Sequence, residues 1–270
     1  MNTIGYIYWG LSPEIIKLGP ISIRWYGLLF AAAFVVGYYI MAKIYNDEKK
    51  TQKDLEALTI TMILGTVIGA RLGHCFFYEP ANYLAHPLEI LMVWKGGLAS
   101  HGAAIGIIFS LWLYVRKRPH ITLMWILDRV VIVVALSGFF IRLGNFFNSE
   151  ILGSLSNSPW AVVFTRVDML PRHPAQLYEA ITYFCIFIFL YSRYLNWKSK
   201  APQGLLFGLF LTLIFGARFI LEFYKDYQVD FEKTLPLDMG QILSIPFVLV
   251  GIYFIVKALG NKEKKAGTKT

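Results

Sequence analysis

Seven long apolar stretches, almost free of charge, constrain this 270-residue chain more than any other feature. They run over Ile23–Tyr45, Leu55–Tyr78, Leu98–Val115, Leu123–Ile141, Leu177–Leu195, Gly204–Phe223 and Leu237–Leu259. A helix of about 20 residues crosses the ~30 Å hydrocarbon core of a bilayer, and a helix satisfies its own backbone there. The expectation is an all-α polytopic membrane protein with seven transmembrane helices. Composition agrees, because 56% of residues are apolar or aromatic and 16% are charged, against about 45–50% and about 25% in soluble domains.

The net charge of +9 does not point to nucleic acid, because the basic residues cluster beside apolar runs, as flanks of membrane helices do. More than half of the 26 lysines and arginines follow the first, third, fifth and seventh runs. Examples are Lys49 and Lys50, Arg116 to Arg118, Lys198 and Lys200, and Lys264, Lys265 and Lys269. That asymmetry puts the N-terminus outside and the C-terminus in the cytoplasm. Residues 1–260 read as one membrane domain, 142–176 as an extracytoplasmic loop or head, and 261–270 as a basic cytoplasmic tail without fixed structure. Ser12-Pro13-Glu14 ahead of Ile15-Ile16 predicts a short interfacial helix, with Ser as N-cap and Pro in the first turn. The first twenty residues lack a basic start and are not expected to form a cleavable signal peptide. Cys75 and Cys185 fall inside apolar runs and read as small buried hydrophobes, with no pairing or metal-site spacing.

This orientation gathers Tyr26, Arg71, His101, Arg142, Arg218 and Glu222 toward the outer end of the bundle. Ionisable groups within spans are functional candidates by default. Arg142, Asn145 and Asn148 recur every three residues, so a persisting helix places a guanidinium and two amides on one face. Arg218 and Glu222 are spaced i, i+4 and can pair. Two arginines at one rim suit a phosphate, onto which a guanidinium forks, although arginines also snorkel simply to anchor helices. His101 follows Gly96-Gly97 and precedes Gly102, glycines that serve either close ligand approach or tight helix packing. Tyr26 alone would be an aromatic-belt residue. No dinucleotide, P-loop, HExxH or GxSxG motif is present in the sequence, which disfavours nucleotide, metalloprotease and serine-hydrolase chemistry.

These residues carry a resemblance. Arg142-Leu143-Gly144-Asn145-Phe146-x-Asn148-x-Glu150-x-x-Gly153 resembles the signature of bacterial prolipoprotein diacylglyceryl transferases. Supporting segments in matching order include Leu18-Gly19-Pro20, Arg24-Trp25-Tyr26-Gly27, Ser100-His101-Gly102, Arg172-His173-Pro174-x-Gln176-Leu177-Tyr178-Glu179, Arg218-x-x-x-Glu222 and Met239-Gly240-Gln241. Ala103, Ser149 and Lys225 depart from the family pattern. The resemblance implies an inner-membrane transferase that moves the diacylglyceryl group of phosphatidylglycerol to the lipobox cysteine of a prolipoprotein signal peptide. A thioether forms and glycerol phosphate leaves. It implies catalytic roles for His101, Arg142 and Arg218, and substrate binding by Tyr26, Arg142, Asn145, Glu150, Gly153, Arg218 and Glu222. Neither a metal nor an organic cofactor is implied, since the phosphate ester is already a leaving group. A lipid or anion transporter and a seven-helix receptor are the rival classes. No internal repeat supports the former, and the latter gives no reason for Asn145 and Asn148 beside Arg142.

Overall fold

A computed structural model describes residues 5–19, 21–93, 96–226 and 236–267. The helices are α1 (Trp25–Asp47), α2 (Gln52–Phe77), α3 (Pro80–Ala85), α4 (Ser100–Arg116), α5 (Leu123–Asn148), α6 (Ala175–Trp197), α7 (Leu205–Leu221) and α8 (Met239–Gly267). The strands are β1 (Ile7–Trp9), β2 (Glu14–Leu18), β3 (Ile21–Arg24), β4 (Val162–Phe164) and β5 (Pro171–Arg172). All of these helices except α3 follow the apolar runs in order. Among the described residues, six helices are long and apolar enough to cross a membrane. The exception is α4, whose 17 residues reach only about 25 Å, whereas the equally long α7 continues through a 3-10 turn to Tyr224. The chain is thus a mostly helical, multi-pass membrane protein whose helix lengths by themselves account for six crossings. Outward apolar side chains such as Ile60, Leu64 and Ile68 on α2 and Leu249, Tyr253 and Val256 on α8 suit lipid rather than water.

The chain divides into two compact units, residues 41–127 and residues 1–40 with 128–270. In the first, α2 and α4 meet through small residues. A Cβ on Gly69 would lie 2.8 Å from the Gly106 Cα, and one on Gly102 would lie 2.7 Å from the Gly73 Cα. Gly65 faces Ser110 in the same way. Spacing of small residues every four positions lets two membrane helices touch along their backbones, so Gly102 serves packing. Thr51 caps α2, accepting from the Asp54 amide at 3.1 Å, and Asp54 in turn holds Arg118 at 2.8 Å and His120 at 2.9 Å.

In the second unit the expected interfacial helix is absent. Glu14–Leu18 is a strand that pairs antiparallel with Ile21–Arg24, from Glu14 opposite Arg24 to Leu18 opposite Ile21. Five residues cannot repay helix nucleation, Ile15-Ile16 is β-branched, and Gly19 turns the chain at φ +60°. Pro20 of the quoted motif lies outside the described residues. A second sheet orders β1, β4 and β5, with Ile7 to Trp9 parallel to Val162 to Phe164. The protein is thus helical with two small β elements that its apolar periodicity does not announce.

Helix α5 runs seven residues beyond the expected end at Ile141, because Arg142, Asn145 and Asn148 find polar partners and need no water. The loop expected over 142–176 accordingly starts at Ser149. Near the other end of α5, the buried Asp128 accepts from the Gly204 amide at 2.7 Å and the Phe207 amide at 2.9 Å, capping α7. Helix α8 contains Pro246 and continues to Gly267. The expected tail is therefore helical over its first seven residues, where lysine and glutamate favour helix; residues 268–270, with Lys269, lie outside the described residues. Cys75 is buried as expected, but Cys185 is exposed, on an α6 face where lipid accommodates a thiol.

Candidate functional site

The site grows from the end of α5. Trp9 packs on Phe146 at 4.4 Å between ring centroids, and Phe146, Val162 and Phe164 form a buried cluster with Leu152 and Leu177. This clamps the small sheet against α5. Ser149 and Ile151 both adopt left-handed φ, at 56° and 55°, and swing the chain back over the helix end. Gly153 pairs antiparallel with Lys225, the Ser154 amide donates to Tyr224 O at 3.0 Å, and the Asp226 amide donates to Leu152 O at 3.1 Å. The turn after α5 is thereby stitched to the segment after α7. A Cβ on Gly153 would run into the backbone carbonyls of His173 and Tyr224, so the residue is a point of closest approach. Arg172 braces the same corner, binding Asp168 and Asp226 at 2.7 Å each. Its hydrogen bond holds the Asp168 carboxyl below the usual carboxylate range.

Arg142 is largely buried. Its Nε lies 3.0 Å from Glu179 Oε2, and its terminal nitrogen donates to Asn145 Oδ1 at 3.3 Å. Asn145 donates to Glu150 at 3.4 Å, and Asn148 donates to the other Glu150 oxygen at 3.1 Å. The helical face expected from the three-residue spacing is thus formed and ends on a carboxylate. Gln176 fixes Glu150 from behind, donating to its backbone oxygen at 2.6 Å. Tyr26 lies against Gly144, where a Cβ would meet its ring, and stands within electrostatic reach of Glu150 and Arg142.

Glu179 is fully buried and also takes the Tyr183 hydroxyl at 3.3 Å and Lys225 Nζ at 3.1 Å. Lys225 reaches Glu222 at 3.0 Å, and Arg218 completes the row with its Nε 4.0 Å from Glu222. That Nε has no hydrogen-bond partner among the described residues, and the side chain is 35% exposed. Gly240 makes room for the Glu222 carboxylate, which a Cβ there would strike. Three carboxylates therefore alternate with three cations, and the guanidinium at one end is open. A partly exposed guanidinium at the end of such a row can fork onto an anionic oxygen cluster while its neighbours keep their carboxylate partners.

Of the residues singled out in the sequence, Tyr26, Arg142, Asn145, Asn148, Glu150, Gly153, Arg218 and Glu222 all belong to this unit. Glu179, Tyr183 and Lys225 were missed. An ionisable residue inside an apolar run was the signal for Glu179, while Lys225 registered only as a departure from a pattern.

Arg71 and His101 belong to the unit of residues 41–127. Arg71 is buried and committed to structure, donating to the carbonyls of Glu89, Ile90 at 3.0 Å and Gly96 at 2.6 Å, with its guanidinium over Tyr83. It orders the loop in which Gly97, at φ +72°, lies against His74. His101 opens α4, is exposed, and stands 5.6 Å from the rings of Phe77 and Tyr78. His173 stands at the entry to α6, with its Nδ1 3.1 Å from the Tyr178 hydroxyl.

The chain matches the family model described as prolipoprotein diacylglyceryl transferase over residues 13–257. Relatives named phosphatidylglycerol--prolipoprotein diacylglyceryl transferase include that of Chloroherpeton thalassium, 53% identical over 97% of this chain and 98% of the relative. That of Tolumonas auensis is 50% identical over 96% and 99%, and that of Porphyromonas gingivalis is 42% identical over 97% and 98%.

Proposed function

The chain belongs to the prolipoprotein diacylglyceryl transferase family, and we propose that the charged row from Glu150 to Arg218 is where it handles phosphatidylglycerol. The protein is a transferase: it moves a diacylglyceryl group from that lipid to the thiol of a prolipoprotein, forming a thioether and releasing glycerol phosphate. The acceptor in this reading is the lipobox cysteine of the signal peptide. The enzyme sits in the bacterial inner membrane with its N-terminus outside and its C-terminus in the cytoplasm, so that the acceptor cysteine emerges on the side of the row.

A cysteine of pKa about 8.5 is only partly thiolate near neutrality, and His101 takes its proton. The thiolate attacks the glyceryl carbon that bears the phosphate ester. The C–S bond forms as the C–O bond breaks, and the electron pair leaves on the phosphate oxygen. Arg142 and Arg218 hold the phosphate and stabilise that charge, a contact worth about 3–4 kcal/mol in comparable oxyanion sites. Asn145, Glu150 and Glu222 orient the two arginines, Tyr26 contacts the lipid or peptide, and Gly153 keeps the turn close enough for Glu150 to reach Asn145.

The observation that carries this reading is Arg218, whose side chain is 35% exposed at the end of one charged network with the anchored Arg142. Purified protein, phosphatidylglycerol and a synthetic lipobox peptide test it by mass. A diacylglyceryl increase that vanishes when the peptide cysteine becomes serine, and that Arg218→Ala abolishes, is the expected result. No increase from a folded preparation that binds phosphatidylglycerol would favour a transporter instead.

A further inference from the structure

Beside the end of α5 opens a cleft of about 600 Å³ whose polar walls include Ser12, Glu14, Arg24, Asn148, Glu150 and Arg166. Glu150 belongs to the row described above, and Asn148 is hydrogen-bonded to it. Glu150 accepts hydrogen bonds from both Asn145 and Asn148, and Asn145 accepts one from Arg142. Whatever contacts Glu150 in the cleft is therefore linked by two hydrogen bonds, through Asn145, to the arginine assigned to the phosphate. The other walls come from the segment joining β1 to β2, from the end of β3 and from the turn after β4.

The chemistry of those walls selects among the molecules the reaction brings together. Acyl chains are poorly served, because covering Glu14, Arg24, Glu150 and Arg166 with hydrocarbon would strip four charged groups of water. A free glycerol phosphate is a compact anion that would use Arg24 and Arg166 and leave two carboxylates facing it. An extended polypeptide offers backbone N–H groups to carboxylates and carbonyls to guanidiniums, matching a wall of mixed sign. The volume lies within the range of ligand pockets. Arg24 is only loosely held, 3.5 Å from Glu14 and more than half exposed, and Arg166 is exposed, so both are available to a ligand.

We infer that this cleft binds the polar segment of the acceptor peptide that follows its cysteine, with Arg24 and Arg166 as specificity residues that act on peptide affinity. The inference rests on the transferase reading and adds the route by which the acceptor is held.

The test uses the whole protein in detergent with phosphatidylglycerol and synthetic peptides that share the sequence up to the cysteine. They differ in the length of the polar extension after it. For the unmodified protein, a longer extension lowers the peptide KM. In the Arg24→Ala/Arg166→Ala variant that gain disappears and the KM of the long peptide rises about tenfold, equivalent to ~1.4 kcal/mol. The kcat and the KM for phosphatidylglycerol hold. Arg166→Ala alone, which leaves the β2–β3 pairing intact, moves the peptide KM in the same direction, and Arg166→Lys restores part of it. An unchanged length dependence in the variants overturns the inference, and so does a rise in the lipid KM in place of the peptide KM. Failure of the unmodified protein to lipidate any peptide would overturn the transferase reading itself.

Discussion

Glu179 has no solvent-accessible surface, yet its carboxylate meets Arg142, Lys225 and the Tyr183 hydroxyl. Burying a charge is unfavourable unless partners replace its water, and here two cations do so. The consequence reaches the proposed chemistry, because Glu179 holds the Arg142 Nε and leaves the rest of that guanidinium to face Asn145 and an incoming phosphate. Replacing it by Gln keeps the shape, removes the carboxylate paired with Arg142 and leaves Lys225 with Glu222 alone among the described residues. Glu179→Gln is expected to lose about 3–5 kcal/mol of stability and to lower turnover more than a hundredfold, with Glu179→Asp recovering part of both. Thermal unfolding in detergent and the lipidation assay check this, and unchanged melting with full turnover would remove the positioning role. Arg142 was legible from spacing alone, since i, i+3 residues share a helix face. Lys225 shares an i, i+3 spacing with Glu222, but its second partner, Glu179 on α6, lies too far away in sequence for any local pattern to reveal.

At the scale of elements, glycine decides which helices can touch. Gly65, Gly69 and Gly73 on α2 face Ser110, Gly106 and Gly102 on α4, so side chains that would hold the backbones apart are missing on both sides. Gly102→Val is expected to force the pair open at a cost of about 1–3 kcal/mol or more. The drop in melting temperature in detergent measures it, whereas an unchanged melt would mean the two helices do not depend on that contact. The helices themselves could be read from apolar length, and their termini less well. Helix α5 passes Ile141 because its last two turns have polar partners, and the hairpin at Glu14–Arg24 forms because a β-branched pair and a left-handed Gly19 outweigh the N-cap signal at Ser12. The first outcome depends on Glu179, a neighbour distant in sequence, and the second on a balance of local preferences.

For the whole molecule, the proposed orientation rests on the basic clusters after alternate helices, and in it the proposed site faces outward. Single cysteines introduced at Lys117 and Leu155, in a background lacking Cys75 and Cys185, are expected to differ in intact cells: a membrane-impermeant thiol reagent labels the second and spares the first. The opposite pattern would invert the orientation and separate the row from an emerging signal peptide. Apolar length determines the class and the order of helices, because transfer into lipid acts on each segment almost independently of the others. Spacing within α5 likewise determined the face that Arg142 shares with Asn145 and Asn148. Only the tertiary structure decided that Glu179 and Lys225 join that face to Glu222 and Arg218, that Arg71 is spent on backbone carbonyls, and that the first residues form strands. Those assignments depend on which buried polar group finds a partner, and partnership in a low-dielectric interior is a property of the packed whole.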